Sequence, residues 1–406
     1  MMMHRAGLLF TFLLLLTACT QKEAYLPLST PVPRIPPHTT PVITAVVIET
    51  TYSVEPTLTP ALAPTLTTIP VGAVTPVCHP AEMFEDYALQ GELGPVAIQN
   101  GVGYIAVGSQ IVVFDPDCTH IVGVSVSSQQ SLVGPIVLED ESLYVGSSSL
   151  LEVFDLSNPY LPSLMMSISL DSEITTMSLG GTPSYLFIGL ENGNIGILDT
   201  KTWKITYWES DVTGYIVDIE SYKNTLLLAS SDPINYSTGG FHWFSIRGDA
   251  QLSPISSLNL GDVTDIELSD DKIYIIAYDQ RSFGYGLFTF EFGQSSDIEL
   301  SGQYIPPSDV PFTDLVVTER FAYLRGVHCE LGFCRSSIEA LDISDPSAIK
   351  IAENWTGIEG QNSYNATGWM IIYNGEAYIV AENAIEVWDI LKAGEWQVTR
   401  TITLRK

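Results

Sequence analysis

From about residue 94 the chain alternates short apolar runs with small polar turns, and the alternation repeats. Seven runs open the pattern: GYIAV, SLYVG, YLFIG, TLLLA, KIYII, FAYLR and EAYIV. They are rich in β-branched and aromatic residues, the composition of strands covered on both faces. About ten residues or more downstream of each, a second run ends on Phe114, Phe154, Leu198, Phe244, Phe290, Leu341 or Trp388. The residues that follow are Asp115, Asp155, Asp199, Ser245, Glu291, Asp342 and Asp389, at intervals of 40, 44, 46, 46, 51 and 47. Units of this length hold four short strands each. They predict an all-β fold, a seven-bladed β-propeller of four-stranded antiparallel blades over about residues 94–404. One unit cannot cover its own apolar faces, whereas a closed ring covers all but the rims.

In residues 142–168, SLYVGSSSLLEVFDLSNPYLPSLMMSI, the runs SLYVG and LLEVFD read as second and third strands of one blade, and GSSS as their turn. Asp155 then falls where the chain reverses. Its carboxylate is placed to accept backbone N–H groups in an Asx-turn, and Pro159 fixes φ beyond it. The aspartates of this series therefore read as turn residues and not as catalytic acids; Ser245 and Glu291 suit a turn that tolerates other polar side chains.

LYVGSSSLLEVFDLSNPYLPSLMMSI and IEALDISDPSAIKIAENW resemble the LVIVD repeat, a propeller unit of bacterial exported proteins. Units two, six and seven carry the resemblance best. Unit one keeps IVVFDPD, and units four and five lack the Asp. In unit three, GNIGILDTKTWKITYW is similar to the PQQ-type propeller repeat, with Trp203 where a Gly is expected. Both resemblances imply the same fold. Neither implies a defined activity, because propellers host many functions.

The N-terminus carries a different signal. Arg5 precedes LLFTFLLLLTA, an apolar run short for a membrane span, and the run closes on Leu16-Thr17-Ala18-Cys19. Residues 1–18 resemble a bacterial lipoprotein signal peptide, which implies that Cys19 becomes the lipidated first residue. The expected location is the cell membrane or outer membrane, lipid-anchored and extracytoplasmic. Stable anchoring takes two or three acyl chains, at about 0.8 kcal/mol per buried CH2. Residues 19–77 are rich in Pro and Thr and read as a disordered stalk that lifts the domain at 78–406 from the membrane.

Charge and cysteine usage narrow the partners. With 17 basic and 47 acidic residues the net charge is -30, and no Lys or Arg occurs between Arg34 and Lys201. Such a surface repels a polyanion, which excludes nucleic acid as a partner. Beyond Cys19 the chain has four cysteines, which in an exported protein suggest two disulfides: Cys329–Cys334 across one loop, and Cys78–Cys118. Their spacing contains no CxxC, and His328 beside Cys329 has no obvious fourth ligand, so no metal site is expected. The histidines are scattered and no catalytic signature appears, so no cofactor is expected. The acidic clusters LEDES (138–142) and LSDDK (268–272) read as solvated hairpin turns.

One feature breaks the repeat. Between the second and third strands, units one, two, three and seven have short turns, but units four, five and six carry SSDPINYSTGG, YDQRSFGYG and GVHCELGFCRSS. Function on repeat scaffolds concentrates in such loops. Tyr236, Arg281, Phe283, Tyr285, Phe333 and Arg335 are the candidate binding residues, with Tyr278, Tyr364 and Arg325 nearby in sequence. Aromatic rings and arginines suit hot spots for a protein or glycan of the envelope. The expected function is non-catalytic binding or scaffolding through the loop face of blades 4–6, with the membrane reached through the lipid anchor only. The first alternative is an assembly factor for envelope complexes, resembling PQQ-like propeller lipoproteins. The second is an extracytoplasmic hydrolase or lyase, which would bring two or more carboxylates of raised pKa together in the central funnel. AEMFEDYALQG (81–91) is a candidate outer strand for the last blade.

Overall fold

The computed structural model describes Leu89 and residues 91–404, other than 119–120, 127–130, 133, 181–184, 233–237, 280–283, 294–296, 307–310, 331–332, 357–368, 382–383 and 391–395. The signal segment, the stalk and Cys78 lie outside these residues. The described residues form seven four-stranded antiparallel sheets, each built from four consecutive strands. The blades span residues 93–126, 136–169, 174–208, 215–258, 263–304, 312–356 and 370–403. First strands of adjacent blades touch right round the ring, the seventh meeting the first. The protein is a seven-bladed β-propeller.

The apolar runs explain this arrangement. The second strands of blades 1 and 3, Val102–Val107 and Tyr185–Leu190, are buried at every position, because both of their faces lie against a neighbouring blade. Seven hydrophobic clusters result, and each joins two adjacent blades. Outer strands such as Ser163–Ser169 have one face on the core and are polar or exposed along much of their length.

Among the described residues, the expected Asx-turns form at Asp115, Asp155, Asp199 and Asp342. Asp115 accepts the Asp117 N–H at 2.9 Å, and Asp155 accepts the Ser157 N–H at 2.9 Å. Asp199 accepts from Lys201 and Thr202 at 2.9 and 3.0 Å, and Asp342 from Ser344 at 3.1 Å. The Ser344 hydroxyl, followed by Arg320, holds the Asp342 carboxyl down at about 2. In two blades the turn beyond the Asp seats on the blade before it. A Cβ at Gly123 would lie 2.1 Å from the Tyr160 carbonyl oxygen, and one at Gly302 would lie 1.8 Å from that of Pro346. Only glycine permits that approach. Asp140 and Asp270, within the two acidic clusters, turn tight hairpins with φ of 47° and 56°.

At the ring closure the seventh blade takes four strands from residues 370–403. Of the candidate outer strand 81–91, all but Leu89 and Gly91 lies outside the described residues. Leu89 packs into the cluster between blades 7 and 1. At that seam Arg400, on the outer strand of blade 7, donates to the Pro116 carbonyl of blade 1 at 2.9 Å and grips Glu376 at 2.7 and 2.5 Å. The Arg400 and Glu376 side chains are 18% and 25% exposed, so screening is incomplete and the pair contributes more than a surface ion pair. Arg400→Ala is expected to cost about 2 kcal/mol, read as a shifted midpoint in urea.

Candidate functional site

The rim that carries the long second-to-third-strand segments differs from the loop expectation. In blade 6 the two strands run on as Phe321–Glu330 and Phe333–Asp342, ten residues each. They pair out to Glu330 opposite Phe333, so GVHCELGFCRSS is mostly a two-stranded ribbon and not a loop. In blade 5 the pairing extends to Asp279 opposite Gly284. The corresponding strands of blades 1, 2 and 7 are five or six residues long. The cause lies in alternation: Val327 and Cys329 alternate with His328 and Glu330 as strand residues do.

The candidate residues fall as follows. Phe333 starts the third strand of blade 6, Arg335 stands opposite His328, and Cys329 stands opposite Cys334. Cys118 is buried. Tyr236, Arg281, Phe283, Tyr364, Cys19 and Cys78 lie outside the described residues. Tyr285 is committed to packing: its hydroxyl donates to Asp262 at 2.5 Å and its ring meets Tyr278 edge-on at 5.5 Å. Asp262 is 5% exposed and also accepts the Ser231 hydroxyl, which ties blade 4 to blade 5. Arg325 is no surface cation. It is 3% exposed and stands opposite Asp314 within the blade 6 hairpin.

A second group of residues escaped the sequence reading. On the first strands of blades 4, 5 and 6, a register shift falls just before Asp218, Asp265 and Asp314. Such a bulge re-aims the next side chain. Asp218 accepts the N–H of Ile219 at 2.8 Å, the Thr176 hydroxyl at 3.1 Å and the N–H of Ile266, one blade on, at 2.8 Å. Asp265 repeats this with Ile266 at 2.9 Å and Leu315 of blade 6 at 2.6 Å, and Asp314 accepts the Met370 N–H of blade 7. Each aspartate thus fastens its blade to the next. Glu220 and Glu267 follow two residues later, on the same side of their strands.

Burial raises the pKa of all five carboxyls, and mutual repulsion adds to it for Glu220, Asp265, Glu267 and Asp314. Glu267 is pushed up to about 8, with Asp218 and Asp314 the charges that oppose its ionisation. Asp314 is raised to about 7, burial outweighing the nearby Arg325. The Asp218 and Asp265 carboxyls also hydrogen-bond to each other, which requires a proton on one of them. Among the described residues no three His, Cys, Asp or Glu side chains are disposed to hold a metal ion. The usable signal was the recurrence of VDIES, TDIEL and TDLVV at the head of three successive units.

No protein-family model matches this chain, and no curated protein matches it. Solved structures do. The computationally designed Ika8 protein is 12% identical over 74% of this chain and 97% of its own, with a TM-score of 0.51. A chain of the mitotic checkpoint complex is 12% identical over 56% of this chain and 70% of its own, with a TM-score of 0.48. A putative 6-phosphogluconolactonase from Bacteroides fragilis NCTC 9343 is 11% identical over 65% of this chain and 83% of its own, with a TM-score of 0.49. At such identities the likeness to Ika8 shows the fold alone.

Proposed function

We propose that this protein is a non-catalytic cell-envelope lipoprotein that binds or scaffolds an envelope protein or glycan through the rim of blades 4–6. The observation that carries this reading is the blade 6 ribbon, whose strands are ten residues long where those of blades 1, 2 and 7 are five or six. A paired ribbon has less backbone entropy to lose on binding than an irregular loop of the same length. Phe333 and Arg335 stand on it, and Arg281 and Phe283 fall between the two long strands of blade 5. The double replacement Phe333→Ala with Arg335→Ala is expected to weaken binding at least about tenfold, on an envelope-glycan array and in crosslinking to envelope proteins, while the melting temperature holds. Unchanged binding would remove the rim from the account. Tyr285→Ala is the wrong probe, because it strips Asp262 of a donor.

The anchor and disulfides belong to the same reading. Cys19→Ala is expected to move the protein from the membrane fraction to the soluble fraction. Cys329 and Cys334 are cross-strand partners, and such pairs hold their Cα atoms about 4.5–5.5 Å apart, within the range a disulfide bridges. The LVIVD resemblance is supported by the Asx-turns at Asp155 and Asp342.

The hydrolase or lyase alternative has one observation in its favour, the convergence of raised-pKa carboxyls in blades 4–6. Against it, both oxygens of Asp218 and of Asp265 already hold backbone N–H groups. Turnover of envelope polysaccharide that Glu267→Gln abolishes without a loss of stability would reinstate it.

A further inference from the structure

The outer strand of blade 2 is unlike the others. Among the described residues, blades 3 to 7 each expose one large apolar side chain, namely Tyr207, Ile255, Leu300, Ile351 and Val398. Blade 2 exposes four within six residues: Tyr160 at 48%, Leu161 at 57%, Leu164 at 37% and Met165 at 45%. Leu164 is the position shared with blades 5, 6 and 7, opposite Phe154 as Leu300 is opposite Phe290, Ile351 opposite Leu341 and Val398 opposite Trp388. The surplus comes from Tyr160, Leu161 and Met165. Met165 is the extra residue of a bulge, where blades 5, 6 and 7 place Ser301, Ala352 and Thr399 and blade 4 places Ile255, the one large apolar side chain it exposes.

This display is held in place. The Tyr160 N–H donates to the Asn158 side chain at 3.2 Å, the Leu161 N–H donates to the Asn158 carbonyl at 3.0 Å, and the Tyr160 carbonyl lies against Gly123 of blade 1. The strand is also unguarded. Natural edge strands carry charges or Pro to discourage pairing. The outer strands of blades 3 to 7 have Lys204, Pro254, Glu299, Lys350 and Arg400. That of blade 1, Ile121–Val126, also lacks charge and Pro, but none of the exposed large apolar side chains lies on it. Residues 156–170 contain no charged residue and no Pro within the strand Ser163–Ser169, although the chain carries a net charge of -30.

We infer that blade 2 joins a second copy of this chain, outer strand to outer strand, about a two-fold axis near Met166. An isologous contact must be self-complementary. Antiparallel pairing of SLMMSIS with itself about Met166 sets Ser163 against Ser169, Leu164 against Ile168 and Met165 against Ser167, so no like charges meet. Pairing blade 5 or blade 6 in the same way would bring Glu299 or Glu353 into the seam of two strongly acidic bodies. The four exposed side chains offer about 100 Å² each, and with the strand edges the two copies would bury about 1,000 Å². That is the low end for a specific complex and sets a weak, reversible dimer. Because each copy is acidic, the dimer tightens as salt screens the repulsion outside the neutral seam.

The test is sedimentation equilibrium on the full chain carrying Cys19→Ser, over a hundredfold range of concentration at low and high salt. The expected result is a monomer–dimer equilibrium that shifts toward dimer at high salt, is lost in Met165→Lys and is kept in Ile351→Lys. Met165 is an exposed bulge residue, so its replacement is expected to leave the melting temperature unchanged. The inference is overturned by a monomer under all conditions, by a dimer that survives Met165→Lys, or by one that Ile351→Lys disrupts equally.

Discussion

Raising the pH from about 5 to about 8.5 is expected to lower the melting temperature of the propeller by about 10 °C. The carboxyls of Asp218, Glu220, Asp265, Glu267 and Asp314 all bind protons more tightly in the fold than in the unfolded chain. Stability from such groups is fully present below their unfolded pKa of about 4. It is lost as the pH rises through the folded values, about 7 for Asp314 and about 8 for Glu267. A shift of this size is worth several kcal/mol across the cluster, roughly 5 when shared protons are counted once. Asp342 and Asp199, whose pKa values are lowered, act elsewhere: their contribution is present above about pH 4 and fades only in stronger acid. His242, held neutral by burial, weakens the fold below about pH 6.5 and sets the acid limb. Calorimetry across pH is the measurement, and Glu267→Gln is expected to flatten the alkaline limb. A curve that rises steadily to pH 8.5 would show that the five groups do not share one poorly solvated space.

Phe154→Ala is expected to cost about 4 kcal/mol and about 8 °C in melting temperature. Phe154 is fully buried between blades 1 and 2, among Tyr104, Ile111, Val113 and Leu143. Neighbours drawn from two separate sheets cannot collapse into the vacated volume without parting the blades, so most of the cavity remains. Tyr160→Ala, at a site 48% exposed on the same blade, is expected to cost under about 1 kcal/mol. Urea titration of the two variants compares them directly. Equal losses would mean that stability does not reside at the blade interfaces.

The repeat was legible because its burial is symmetrical. A strand enclosed on both faces must be apolar at every position, and Val102–Val107 and Tyr185–Leu190 announce themselves as such. The Asx-turn aspartates were legible because their chemistry is local, complete within two or three residues. The blade clamps at Asp218, Asp265 and Asp314 were not, since each carboxylate reaches an N–H about fifty residues away and only the ring brings the two together. Arg325 was misplaced for the same reason: in sequence it borders a long insertion, while in space it answers Asp314. In sequence the blade 6 insertion reads as a loop because its Cys, Gly and Arg content hides strands that pair in register out to Glu330 and Phe333.

A photo-crosslinking residue installed at Phe333, with a matched control at Val398 on the outer strand of blade 7, asks in intact cells where the molecule is occupied. The rim account predicts a discrete adduct of one envelope component from position 333 and none from position 398. Adducts of equal intensity from both, or a silent rim beside a labelled outer strand, would contradict it.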